Sequence, residues 1–188
     1  PMDVYLDNQA VTRPDPRVVA AMQPWLAAAG NPQSLHTAGQ TARAALDAAR
    51  AQVAALVGAA PAEVCFVASG SEANNLALKG VAAARAAEGK HLVISAVEHF
   101  SVLNAAQRLA RNGFRVTTVP VDRSGRVDPA AVVAALEPDT ILVSIQHANP
   151  EVGTVQPIRA IAQGLAAANA ARKIKVRFHT DAVQTAGN

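Results

Sequence analysis

Short apolar runs alternate with longer, Ala-rich segments of helical periodicity along most of this chain. Val64–Val67, Leu92–Ser95, Phe114–Val119, Ile141–Ile145 and Val176–His179 read as strands. Helices are predicted between them: from Ala73 to about Ala87, from Glu98 to about Asn112, from Asp128-Pro129 to a stop before Pro138, and from Pro157 to about Ala171. Strands that alternate with helices in this way need crossover connections, which are right-handed and place helices on both faces of the sheet. The fold class expected is therefore α/β: three layers around a mostly parallel sheet.

The pattern differs ahead of the first run. Tyr5-Leu6-Asp7-Asn8 reads as a short extended segment, and Asp15-Pro16 as a cap followed by Pro at the first helical position. That helix reaches Trp25-Leu26 and stops at Gly30-Asn31-Pro32. A second, long helix is predicted from about Thr41 to Val57, with Leu46, Ala49, Val53 and Leu56 on one face and Gly58 at its end. The organisation expected is an N-terminal segment and helix over residues 1–30, then an α/β domain over residues 31–188.

Composition narrows the function classes. The 188 residues are 51% apolar but only 3% aromatic, so the core must pack through Ala and aliphatic side chains. No apolar stretch is long enough to span a bilayer and no segment resembles a signal peptide, giving a soluble, cytoplasmic reading with no membrane partner. The net charge of +3 comes from scattered residues, with one local cluster at 172–177, and excludes nucleic acid as a partner. A single cysteine, Cys65, rules out an intrachain disulfide and is expected to be inert core inside its strand. The histidines lack metal-ligand spacing, so no metal is expected.

Chemistry concentrates where strands end. In open α/β sheets ligands sit beyond the strand carboxyl ends. Ser69-Gly70-Ser71-Glu72 joins a predicted strand to a helix, as an ordinary cap or as an anion cradle of backbone N–H groups. Glu98-His99 opens the next helix, and His99 reads either as a plain helix-start residue or as a ring partner and proton carrier. Asp181 and Gln184 follow the last strand. Lys79 and Lys90 read as solvated. Together, a phosphate cradle, a stacking imidazole and a carboxylate are the parts that pyridoxal phosphate needs.

Leu6-Asp7-Asn8, the segment 30–36, Ser71-Glu72-Ala73-Asn74-Asn75-Leu76-Ala77, Glu98-His99, the segments 121–128 and 147–158, and His179-Thr180-Asp181-Ala182-Val183-Gln184 carry a more specific message. In collinear order they resemble the cysteine desulfurases of the NifS/IscS type, class V, fold-type I pyridoxal-phosphate enzymes. The resemblance implies the large domain of that fold without its C-terminal strands and small domain. It implies pyridoxal 5'-phosphate as cofactor, Gly70 and Ser71 at the phosphate, His99 on the ring in a catalytic role, Asp181 at the pyridine nitrogen and Gln184 near the ring hydroxyl. The implied reaction takes sulfur from L-cysteine, leaving alanine and a persulfide for iron-sulfur cluster assembly or other sulfur transfer.

Departures accompany it. Pro150 stands where the family has a cofactor-contacting asparagine, and the family's cofactor-bonding lysine and persulfide cysteine are not among the 188 residues. The chain alone is expected to be inactive. A homo-oligomer or a companion chain with the C-terminal half is expected, together with a sulfur-acceptor or scaffold protein. The alternative is a non-catalytic paralogue that binds a partner or scaffolds an assembly.

Overall fold

The computed structural model describes residues 4–187, which form two compact units that divide between Phe66 and Val67. In the first, Asp15 caps α1 (Pro16–Leu26) by accepting the Arg17 N–H at 2.7 Å, with Pro16 preset for the first turn. Helix α2 (Thr37–Val57) starts about one turn earlier than the sequence predicts. The reason is His36, whose Nδ1 accepts the Gly39 N–H at 3.3 Å and so caps the helix as a Ser or Asp would. Gly58 ends α2 at φ +67°, and its N–H returns to the carbonyls of Ala54 and Ala55.

The segment 64–67 is not a strand. It follows a single 3-10 turn, Pro61–Glu63, and pairs with no strand among the described residues. Apolar β-branched composition favours a ladder only where a neighbour exists to complete it. Cys65 is accordingly exposed, not core.

The second unit holds a four-stranded, wholly parallel sheet in the order β2-β1-β3-β4. Its strands are β1 (His91–Ser95), β2 (Arg115–Val119), β3 (Thr140–Ser144) and β4 (Arg177–His179). Between them run α3 (Gly70–Arg85), α4 (Phe100–Arg111), the short α5 (Pro129–Ala134) and α6 (Ile158–Ala171). Period-two alternation sorts the strand residues between two cores. Leu92, Ile94 and Leu142 pack with Leu78 and Ala82 of α3 and with Val102, Ala105 and Leu109 of α4. Val93 and Val143 face the other way, onto Val132 of α5 and Ile161 and Leu165 of α6. Every residue of β1 and β3 is buried, and each fully buried aliphatic side chain contributes roughly 1.5–3 kcal/mol. The three-layer expectation holds.

Polar groups close the amino end of the sheet. The buried His91 ring lies 2.7 Å from Thr140 Oγ1 and 2.9 Å from Thr117 Oγ1, and burial holds its pKa below the ordinary imidazole value. Arg115 spans Glu137 and Asp139 beside it. The carboxyl end is the open one.

Candidate active site

Beyond the carboxyl ends of β1, β3 and β4 lies a pocket lined by Ser69, Gly70, Ser71, Asn74, Val97, Glu98, His99, Gln146, Ala148, Asn149, Pro150, Glu151, Asp181, Val183 and Gln184. All five residues singled out from the sequence, Gly70, Ser71, His99, Asp181 and Gln184, are brought together here. His147 and His179 do not line it, and no group of His, Cys, Asp and Glu able to hold a metal occurs among the described residues.

The first wall is the start of α3. Ser69 is the cap: its Oγ accepts the Glu72 N–H at 3.2 Å, while Glu72 Oε2 reaches back to the Ala68 N–H at 2.7 Å. First-turn amides have no partner within a helix, and this arrangement leaves those of Gly70 and Ser71 to the pocket they line. A Cβ on Gly70 would stand 2.6 Å from Val183 Cγ2, so a side chain here would require the exposed Val183 to move away from this turn.

The second wall is the segment after β1. His99 caps α4, and its Nδ1 lies 3.1 Å from the Ser101 N and 2.7 Å from Ser101 Oγ. Glu98, buried behind it, accepts from Ser95 Oγ at 2.6 Å and from the Gln146 N–H at 2.8 Å, both on Oε1. Its Oε2 has no hydrogen-bond partner among the described residues. Burial pushes the Glu98 carboxyl up to about 7, against the two hydrogen bonds, and the Asp181 charge adds to the rise. Gln146 Nε2 and Asn149 Nδ2 both donate to the Val97 carbonyl, at 2.6 and 3.2 Å, so the ends of β1 and β3 are clamped together.

The third wall follows β4. The parallel pairing continues past the strand, with the Ile145 N–H on the His179 carbonyl and the His147 N–H on the Asp181 carbonyl. Asp181 Oδ1 accepts the Val183 N–H at 3.0 Å, and Oδ2 accepts from Asn74 Nδ2 at 2.8 Å. His147 Nδ1 meets Thr185 Oγ1 at 2.6 Å and so braces the turn that carries Gln184. His179 is bonded to Ser144 Oγ at 2.8 Å, and burial lowers its pKa despite the nearby Asp181 charge.

The sequence assigns no role to four residues in or behind this pocket: Asn74, Glu98, Ser101 and Gln146. Asn74 carried a signal, because it shares a buried stripe of α3 with Leu78 and Ala82, where a polar side chain must find partners. The contacts that join Glu98 to the Gln146 N–H, and Gln146 to Val97, come from strand register, which no local pattern reports.

The donor set fits a phosphorylated aromatic cofactor. It offers helix-start amides beside a glycine that packs closely on Val183, an imidazole, and a carboxylate already oriented by an amide. Residues 4–188 match the aminotransferase class-V family, and the chain belongs to it. More narrowly, it is a homologue of the cysteine desulfurases. It is 44% identical to the cysteine desulfurase IscS of Dictyoglomus turgidum over 99% of this chain and 46% of that protein. It is 45% identical to the cysteine desulfurase of Mus musculus over 98% of this chain and 39% of that one. Among solved structures it is similar to a NifS-like protein, with a TM-score of 0.92 and 37% identity over 98% of this chain and 50% of that one. It is also similar to SspA in complex with cysteine, with a TM-score of 0.86 and 38% identity over 94% of this chain and 49% of that one. The chain spans about half the length of these relatives or less. The family implies dependence on pyridoxal phosphate. Among the described residues no helix is long and apolar enough to cross a membrane.

Proposed function

We propose that this chain is the cofactor-binding part of a pyridoxal-phosphate-dependent cysteine desulfurase. The observation that carries the reading is the meeting of Gly70, Ser71, His99, Asp181 and Gln184 in one pocket at three strand ends, in a chain of class V descent. The Gly70 and Ser71 amides would hold the phosphate, with the positive end of α3 behind them. Asp181 would hold the proton of the pyridine nitrogen, and Asn74 would keep its carboxylate aimed. His99 would cover the ring face and carry a proton to or from the substrate, and Gln184 would meet the ring hydroxyl. When bound, the cofactor supplies an electron sink for the amino acid's α-carbon.

The substrate is L-cysteine. Its Cβ–S bond breaks, the sulfur passes to a cysteine thiol as a persulfide, and the carbon skeleton gains a proton and leaves as alanine. The thiol and the cofactor-bonding lysine come from outside these 188 residues, and the complete protein works as a homo-oligomer or with a companion chain, with a sulfur acceptor or scaffold downstream. Pro150 lines the pocket without an N–H to offer, which favours a second reading as a non-catalytic paralogue. Alanine release from L-cysteine by the complete protein, with and without added pyridoxal phosphate, separates the two. Cofactor-dependent alanine supports the desulfurase, and cofactor binding without alanine supports the paralogue.

A further inference from the structure

We propose that Asn74 and Ser101 are positioning residues that fix which ring nitrogen of His99 carries the proton and tie that ring to the Asp181 carboxylate. The chain of contacts runs unbroken, from Asp181 Oδ2 to Asn74 Nδ2 at 2.8 Å, on to Ser101 Oγ at 2.9 Å, and on to His99 Nδ1 at 2.7 Å. Asn74 is 3% exposed and Ser101 9%, so the middle of this path is shielded from solvent, whereas Asp181 is half-buried and the His99 ring opens to the pocket.

The direction of each hydrogen follows from the first. An ionised carboxylate only accepts, so Asn74 must turn its NH2 inward, and both of its hydrogens are then committed. Ser101 Oγ accepts one of them and has its own hydrogen left to give, and the remaining neighbour on its path is His99 Nδ1. The backbone N–H of Ser101 points at the same nitrogen from 3.1 Å. Nδ1 is an acceptor from two sides, so the neutral ring carries its hydrogen on Nε2.

This arrangement has a chemical consequence. The ring offers the pocket an N–H donor, and His99 gives a proton at Nε2 before it can take one there. An amide N–H does not relay protons, so the chain transmits orientation, not charge. Asp181 and His99 stand on different elements, and Asn74 is the one side chain bonded to both halves of the link. The use made of this tautomer rests on the cofactor reading given above, whereas the tautomer itself does not.

The test is long-range 1H–15N correlation on the complete protein labelled with 15N-histidine, with His99 assigned from a His99→Gln spectrum. Wild type should show a single Nε2–H tautomer. Asn74→Asp replaces the donor by an acceptor, draws the Ser101 hydrogen away from His99, and should switch the ring to Nδ1–H. Adding Ser101→Ala to Asn74→Asp cuts the path and should restore Nε2–H, which a merely structural role for Asn74 would not do. Should Asn74→Asp not fold, Ser101→Ala should move the His99 Nδ1 signal while Ser101→Thr leaves it in place. An Nδ1–H ring in wild type, no switch in Asn74→Asp, or an unmoved signal in Ser101→Ala overturns the proposal. Pyridoxal phosphate added to the same samples and followed by its visible absorbance reads the pocket separately. No binding with the switch intact removes the cofactor reading and keeps the positioning role, and binding without the switch does the reverse.

Discussion

Asn74 Nδ2 lies 2.8 Å from Asp181 Oδ2, joining the second turn of α3 to the turn that follows β4. The two residues are 107 positions apart, so the bond exists only once β1, β3 and β4 have assembled. It places the carboxylate of one pocket wall under the control of another.

Asp181→Ala is expected to weaken pyridoxal phosphate binding and turnover of the complete protein by roughly 10- to 100-fold. That range corresponds to the loss of a charge-assisted hydrogen bond of about 1.5–3 kcal/mol. Asp139→Ala serves as the control, because Asp139 accepts from the Lys90 N–H and Arg115 at the opposite end of the sheet. It should lower the melting temperature and leave cofactor affinity alone. Equal losses of affinity in the two variants would reduce Asp181 to a turn cap.

Glu98 predicts a dependence of stability on pH. Its folded pKa is raised from 4.5 to about 7, so the unfolded chain releases this proton first. Stability from this group is full below about pH 4.5 and is lost as pH rises towards 7; the deficit above that, at about 1.4 kcal/mol per pH unit, is on the order of 3 kcal/mol. His91 and His179, whose folded values are lowered, act in the opposite direction and cost stability as pH falls below about 6.5. The difference between wild type and Glu98→Gln isolates the carboxyl. Urea denaturation at pH 5 and pH 8 should show the variant gaining on wild type at the higher pH. A pH-independent difference would mean that Glu98 ionises normally.

Gly70→Ala places a methyl group where Val183 Cγ2 now stands, 2.6 Å from the ideal Cβ. Val183 is largely exposed and can yield, so the effect should fall on the pocket more than on stability. Pyridoxal phosphate affinity should drop roughly ten-fold, equal to about 1.4 kcal/mol and within the usual cost of overpacking. Gly70→Ala combined with Val183→Ala should recover it. Recovery failing in a folded double variant would place the demand for glycine in the backbone instead.

Much of this was legible in the chain itself. The apolar runs of β1 and β3 and the caps Asp15 and Asp128 locate their elements because burial and capping are local requirements that a sequence displays, whereas α3, capped by Ser69, begins at Gly70, ahead of the start expected at Ala73. Gly70, Ser71, His99, Asp181 and Gln184 stand out in the sequence because ligands gather at strand ends and because the motifs resemble a known family, and the fold brings them to one pocket. Val64–Val67 misled, since an apolar run announces a preference for burial but not the neighbour that a strand requires. His36 gives no local signal of a helix start because histidine is an uncommon cap, and α2 begins earlier than its apolar pattern indicates for that reason. The hydrogen-bonded path from Asp181 through Asn74 and Ser101 to His99 is invisible to any local pattern, because it joins three elements through single atoms.

The central claim is that this pocket holds pyridoxal phosphate through Gly70, Ser71 and Asp181. Its most direct test is a spectroscopic titration of the complete native protein with pyridoxal phosphate, in wild type and in Asp181→Ala, with inorganic phosphate as competitor. Saturable binding of one cofactor per chain, displaced by phosphate and much weakened in the variant, is the predicted result. Absence of saturable binding, or binding indifferent to both phosphate and Asp181→Ala, would contradict it.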